Sequence, residues 1–141
     1  MLYDPTLVQP MRDELARLGV RELRTAAEVE EALGEGDGTT LLVVNSVCGC
    51  AARNARPAVA LALEHASQPT RTVTVFAGQD VEATARAREY LAGYRPSSPA
   101  IALLLGGEVL FMLERHQIEG REAAAIAQDL ADAFDRYCVA V

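Results

Sequence analysis

Two cysteines separated by a single glycine are the most reactive feature of the sequence. Cys48 and Cys50 flank Gly49 in the segment NSVCGC, after the apolar run TLLVV and before the helix-like segment AARNARPAVALALEHA. Free N–H groups and the helix dipole favour an anion at a helix N-terminus, which lowers the pKa of a thiol there. Because the thiolate is the nucleophile in disulfide exchange, the segment predicts thiol redox chemistry.

The spacing of the two thiols predicts different roles for them. A disulfide favours Cα atoms about 5.5–6 Å apart, so cysteines at i and i+2 close only a constrained ring, which Gly49 partly relieves. A strained disulfide is easily reduced. Each helical residue turns by about 100°, so both thiols cannot lie over the helix N-terminus. We predict that Cys48 has the lower pKa and attacks, and that Cys50 is secondary.

Arg53 and Arg56 follow the cysteines within two helical turns. A cation at this end of a helix opposes the helix dipole, so neither side chain adds much to helix stability. We predict that they stabilise the Cys48 thiolate or receive an anionic ligand. The alternative is that both are solvated side chains on the helix surface.

A proline about fifty residues later supports a redox site. Pro99 follows Ser98 and directly precedes the apolar run AIALLL. X-Pro bonds adopt the cis form far more readily than other peptide bonds, and thiol-redox folds place a cis-proline opposite the reactive thiol. We therefore predict that Ser98–Pro99 is a cis peptide that faces Cys48. Ser97 is predicted either to support this site or to be an ordinary polar loop residue.

Metal binding is the main alternative use of the cysteines. Zinc and iron–sulfur sites usually need four ligands, and the other candidates, Cys138, His65 and His116, are scattered along the sequence. Cys138 is predicted to be a helix-end residue rather than a resolving thiol. His116 is predicted to form a structural hydrogen bond or to start a helix rather than to act as a base.

Composition excludes several classes of function. The 141 residues carry a net charge of −7, and only seven are aromatic, three Phe and four Tyr. Without a basic stripe, a nucleic-acid surface is not expected. All thirteen cationic residues are Arg, so Schiff-base chemistry and a phosphate-loop lysine are excluded. The sequence shows neither a signal peptide nor a membrane-spanning run, which predicts one cytoplasmic domain over residues 1–141.

Alternating helices and strands are predicted to position these residues. Helices are predicted from Gln9-Pro10 to Gly19, from Thr25 to Leu33, over 50–66 with a kink or late start at Pro57, from a cap at Asp80, and over 121–137. Strands are predicted over 20–23, 40–45, 71–76, 100–105 and 108–113. The alternation predicts a parallel sheet with helices on both faces, and Gly106-Gly107 predicts an antiparallel hairpin at one edge.

Three motifs together resemble the bacilliredoxin family. They are NSVCGCAARNARP, RPSSPAIAL and ERHQIEGR, and the likeness extends to the opening YDPTLVQPMRDEL. The resemblance implies a thioredoxin-like α/β fold of three layers, with a mixed central sheet, helices on both faces and a C-terminal β-hairpin plus helix. It also implies removal of the small thiol bacillithiol from protein mixed disulfides. Cys48 would attack and carry the bacillithiol, and Cys50 would be a resolving or auxiliary thiol.

The resemblance also implies partners and a site. The partners would be bacillithiolated proteins and the low-molecular-weight thiol itself, with bacillithiol as co-substrate and no bound cofactor or metal. Residues predicted to stabilise the thiolate or to bind substrate are Gly49, Arg53, Arg56, Ser98 and Pro99. The two carboxylates of bacillithiol would give the arginines a purpose, and the backbone of Ser98 would pair with a bound thiol or peptide.

The sequence differs from thioredoxins in one respect, and two alternative functions stay open. The strand before Cys48 holds no Asp or Glu, unlike that of thioredoxins, so dithiol reduction with an internal base is not expected. Weak protein disulfide isomerase or reductase activity is one alternative. A metal or iron–sulfur carrier that uses the Cys-Gly-Cys pair is the other. The oligomeric state is not predicted.

Overall fold

The fold is a five-stranded sheet between two layers of helices, in a computed structural model that describes residues 2–34 and 36–138. The strands are β1 (Arg21–Glu22), β2 (Thr39–Asn45), β3 (Arg71–Phe76), β4 (Ala100–Leu105) and β5 (Glu108–Leu113). The helices are α1 (Pro5–Ala16), α2 (Ala26–Leu33), α3 (Arg56–Ala62), α4 (Val81–Tyr90), α5 (Arg115–Ile118) and α6 (Ala123–Tyr137). A π-helical turn, Ala51–Ala55, directly precedes α3.

Strand β2 lies at the centre of the sheet, whose order is β1-β3-β2-β4-β5. It pairs in parallel with β3 and antiparallel with β4, so the sheet is mixed as the sequence predicts. The β4–β5 hairpin forms the predicted edge. Its turn consists of Gly106 and Gly107, whose φ angles of 58° and 85° suit the two-residue turn that matches strand twist.

Every residue of β2 is buried, and its side chains alternate between two cores. Leu41 and Val43 point into one core, where they pack with residues of α1, α3 and α6. Leu42 and Val44 point into the other, beneath α2 and α4. This strand therefore supports both faces of the molecule and carries the site at its carboxyl end.

The first helix begins earlier than predicted, at Pro5 rather than at Gln9-Pro10. Asp4 caps it, because its carboxylate accepts the N–H of Thr6 at 2.8 Å and Pro5 needs no N–H partner at the first position. Pro10 instead lies inside the helix. The Asp4-Pro5 pair, five residues upstream of Gln9-Pro10, was the stronger start signal.

Helix α2 begins as predicted, whereas Asp80 does not act as the predicted cap. Thr25 and Glu28 form the reciprocal capping box that starts α2. Asp80 precedes α4 but makes no capping bond, because its carboxylate binds Arg12 through two contacts of 2.7 and 2.9 Å. The buried Arg12 guanidinium also lies 5.2 Å from the Phe76 ring centre, so it holds α1 against the carboxyl end of β3.

Within the described parts of the chain, no helix combines the length and apolar character that crossing a bilayer requires.

Candidate active site

The two cysteines lie in the turn that follows β2. The Cys48 N–H donates to Ser46 Oγ at 3.1 Å, and the Cys50 N–H donates to Cys48 Sγ at 3.3 Å. Both thiols are free and partly exposed. A backbone N–H aimed at the sulfur favours its anionic form, because hydrogen bonding to the charged state stabilises that state.

The surroundings of the two thiols move their pKa values in opposite directions. Burial raises the pKa of Cys48, but hydrogen bonds from Cys50 and from the Ala51 N–H, together with the charge of Arg115, outweigh it, so the net pKa is lowered. The pKa of Cys50 is raised by burial, by its hydrogen bond to Cys48 and the charge of that thiolate, and by Glu119. Cys48 therefore ionises first, which is the order that the sequence predicts.

The helix after the cysteines does not begin as a regular α-helix. Residues Ala51–Ala55 form a π-helical turn, closed by the Arg56 N–H to the Ala51 carbonyl, before α3 starts. Pro57 explains the wide turn, since it has no N–H to donate and its ring crowds the carbonyl four residues earlier. Of the two predicted effects of Pro57, the structure shows the late start. The helix ends at Ala62 instead of 66.

Arg56 is not available to an anionic ligand, so that part of its prediction is wrong, whereas its effect on the Cys48 thiolate stays a prediction. Its side chain is only 3% exposed. Its Nη1 donates to Asn45 Oδ1 at 2.9 Å and to the Ser46 carbonyl at 3.0 Å, and its Nε donates to Glu14 at 3.0 Å. The guanidinium therefore fastens the cysteine turn to the end of β2 and to α1.

Asn45, which sequence reasoning missed, is the centre of this buried network. Its amide nitrogen donates to the Met11 carbonyl at 3.2 Å, and its Oδ1 accepts both Arg56 and the Ser46 N–H. The signal was present, since Asn45 is the one amide that ends an otherwise apolar strand. Ser46 in turn accepts the Cys48 N–H, so the network reaches the reactive residue.

Arg53, unlike Arg56, is exposed and lies over the cysteine turn. A Cβ built on Gly49 would be 2.9 Å from Arg53 Nη2, so the absence of a side chain at Gly49 lets this guanidinium approach the backbone. Arg53 forms no ion pair with the described residues. Its predicted role toward the thiolate or an anionic ligand stays a prediction.

The Ser98–Pro99 peptide is cis, as predicted, whereas its facing Cys48 stays a prediction. Pro99 is buried directly before β4, where Ala100 pairs with Val44 of β2. The cis peptide and the cysteine turn therefore lie at the same end of neighbouring strands. The role of Ser98 and Pro99 toward substrate stays a prediction.

Arg115 is a second site residue that the sequence did not predict. It begins α5, and its Nη1 donates to the Ser98 carbonyl at 3.3 Å while its N–H donates to Ser97 Oγ at 3.3 Å. Its positive charge lowers the pKa of both thiols, although the net shift at Cys50 is upward. The motif ERHQIEGR contains this arginine directly before His116.

His116 and Ser97 have simpler outcomes. His116 lies at the second position of α5, as a residue that starts a helix would, and it is exposed. It forms no hydrogen bond with the rest of the described chain, so the predicted structural bond is not found. Ser97 is more than a polar loop residue, because it accepts the first N–H of α5.

Cys138 lies far from the other two cysteines. It is buried just after α6, with Sγ 3.2 Å from Thr39 Oγ1 at the start of β2, and burial raises its pKa. The seven-residue strand β2 spans about 20 Å and separates it from Cys48. It is therefore a helix-end residue, as predicted. No three potential metal ligands gather anywhere in residues 2–34 and 36–138.

Comparison with known proteins identifies the family. The profile of a family described as disulphide isomerase matches residues 3–138. A bacilliredoxin of Salinibacter ruber is 57% identical over 98% of this chain and 82% of its own length. The chain belongs to the bacilliredoxin family. Bacilliredoxins of Bacillus licheniformis and Staphylococcus aureus are 55% and 50% identical over 96% and 97% of this chain and 95% and 94% of theirs.

Solved structures establish the fold of this family member. The thioredoxin of Malassezia sympodialis superposes with a TM-score of 0.58 at 14% identity, covering 85% of this chain and 91% of that one. Another thioredoxin-fold protein gives 0.59 at 14% identity, covering 81% and 92%. The resemblance and the thioredoxin-like fold predicted from the sequence are both confirmed. The chain is a thiol–disulfide oxidoreductase.

Replacing Arg115 by Gln is expected to slow alkylation of Cys48 several-fold at neutral pH. The arginine charge lowers the pKa of Cys48, so its removal raises that pKa and reduces the thiolate fraction. The rates of wild type and variant should converge at high pH, where the thiol is ionised in both. Thiolate absorbance and iodoacetamide rates measured against pH test this.

The matched control for this measurement is Arg17→Gln, which replaces an exposed arginine at the end of α1. It should titrate like the wild type. Identical pH profiles for Arg115→Gln and wild type would show that Arg115 does not act on Cys48.

Proposed function

We propose that this chain removes bacillithiol from protein mixed disulfides. One observation carries the proposal. The Cys48 sulfur, just after the end of the central strand, accepts a backbone N–H, and the pKa of this thiol is lowered. Such a thiolate is the nucleophile that disulfide exchange requires. Relatives at 50–57% identity that are named bacilliredoxins support the choice of small thiol.

In the first step, the Cys48 thiolate attacks the bacillithiol sulfur of the mixed disulfide. A new bond forms between the Cys48 Sγ and that sulfur while the original S–S bond breaks. The target cysteine leaves as a thiolate and takes up a proton. The target is thereby reduced, and Cys48 carries bacillithiol as a new mixed disulfide.

In the second step, the Cys50 thiolate attacks Cys48 Sγ and bacillithiol leaves as a thiolate. The Cys48 charge is among the causes that raise the pKa of Cys50 in the reduced protein. That charge disappears once Cys48 is bound to bacillithiol, so Cys50 ionises more readily when its attack is needed. The product is a Cys48–Cys50 disulfide, which thiols of the reducing cytoplasm, the proposed setting, return to the dithiol.

Bacillithiol is a co-substrate in this scheme, the partners are bacillithiolated proteins, and no resident cofactor takes part. The second candidate is weak disulfide isomerase or reductase activity, which the name of the matching family profile favours. The cysteine turn serves either reaction, since both begin with attack by a thiolate.

An assay with one carrier protein separates the two candidates. The carrier is prepared either as a bacillithiol mixed disulfide or with scrambled internal disulfides. We expect stoichiometric release of bacillithiol from the first substrate at far lower enzyme concentration than regain of native pairing in the second. Faster isomerisation than bacillithiol release would overturn the proposal in favour of the isomerase.

A further inference from the structure

An open groove contains the arginine whose charge acts on the two thiols. It lies between the loop at residues 93–97, which follows α4, and the short helix α5. Its volume is about 610 Å³, within the range of sites that hold small molecules. Tyr94 and Arg95 line one wall, and Arg115, His116 and Glu119 line the other.

Two residues connect the groove with the thiols. Arg115 lines the groove and donates to the carbonyl of the cis peptide at Ser98. Its positive charge favours the thiolate form of both cysteines. Glu119 lines it too, pairs with Arg115 Nε at 3.2 Å, and acts on Cys50. The charged wall of the groove is therefore close enough to the cysteines to change their pKa values.

The charges in the groove suit a ligand that carries carboxylates. Arg95 and His116 are exposed, and neither forms an ion pair with another described residue. Of the two acidic residues, Glu119 is held by Arg115, and Glu114 lies at the start of α5, where its backbone carbonyl accepts the Gln117 N–H at 2.9 Å. Arg95 is therefore an unpaired cation in the groove, and the imidazole of His116 is a hydrogen-bonding group without a partner among the described residues.

We propose that this groove binds the small-thiol half of the mixed disulfide, a thiol of low molecular weight that carries carboxylate groups. Arg95 and His116 pair with the carboxylates, and Arg115 orients the end nearest the sulfur. The inference rests on the proposed function and assigns a place to its co-substrate. It differs from the sequence prediction, which gave the carboxylates to Arg53 and Arg56.

The test compares two substrates that differ only in the small thiol. One carrier protein is prepared as a mixed disulfide with bacillithiol, which is anionic, and with 2-mercaptoethanol, which is neutral. The readout is kcat/KM for the bacillithiol substrate divided by kcat/KM for the 2-mercaptoethanol substrate. In the double variant Arg95→Gln, His116→Gln the ratio should fall about tenfold, as expected for the loss of about 1.4 kcal/mol of ionic recognition.

The control Arg17→Gln removes an exposed arginine at the far end of α1 and should keep the wild-type ratio. Added salt should lower the ratio of the wild type more than that of the double variant, because salt screens exposed charges. A wild-type ratio in the double variant would overturn the assignment of the small thiol to this groove, while the proposed function would stand. No release of bacillithiol by the wild type would overturn the proposed function and the inference with it.

Discussion

Cys48→Ser is expected to lose all transfer from a bacillithiolated protein, down to the uncatalysed rate. A serine hydroxyl is not ionised at neutral pH and does not exchange with a disulfide, so the first bond cannot form. Cys50→Ser is expected to keep the first step and to accumulate the Cys48–bacillithiol adduct. Mass spectrometry of each variant after exposure to a mixed disulfide measures both results.

Cys138→Ser is the matched control, since that thiol is buried at the opposite end of β2. It should retain wild-type turnover and carry no adduct. Full activity in Cys48→Ser, or an adduct on Cys50 with Cys48 intact, would mean that the two roles are reversed.

Arg56→Met is expected to lower the free energy of unfolding by about 3 kcal/mol, as is typical when a buried charged donor is lost. Methionine keeps the packing of the side-chain stem but leaves the buried Ser46 carbonyl and Asn45 Oδ1 without the guanidinium. Glu14 is less affected, because its side chain is 40% exposed and water can replace the lost contact. Urea unfolding measures the change.

Arg53→Met is the matched control, because it makes the same substitution on an exposed side chain of the same turn. Its stability should stay within about 0.5 kcal/mol of the wild type. Arg56→Met should also slow alkylation of Cys48, because Ser46, which holds the Cys48 N–H, loses its anchor. Equal stability of the two variants would show that the buried network contributes little.

Local patterns in the sequence predicted most of the fold. The run before Cys48 is a buried strand, Thr25 and Glu28 form a capping box, and Gly106-Gly107 closes a hairpin. Each of these features depends on neighbours within a few residues, so the signal is contained in a short window. The cis peptide at Ser98–Pro99 could also be predicted from a local signal, since only proline makes the cis form common.

The partners of charged side chains were beyond the reach of the same patterns. Arg53 and Arg56 look alike in sequence, yet one is exposed and the other is buried against Glu14, forty-two residues away. Asp80 has the sequence position of a helix cap, but its carboxylate accepts a hydrogen bond from Arg12, sixty-eight residues earlier. The charge of Arg115 acts on the thiols only because β4 pairs with β2 and β5 pairs with β4. Such pairings depend on the packed fold.

The position of β2 has a consequence for how such enzymes diversify. The attacking sulfur is fixed to a strand that is buried on both faces, where most substitutions disturb a core. The groove walls, by contrast, come from an exposed loop and a four-residue helix at the periphery. Mutations can therefore accumulate in the walls while the reaction is preserved. A lineage that changes its small thiol can inherit the chemistry intact and alter only residues such as Arg95 and His116.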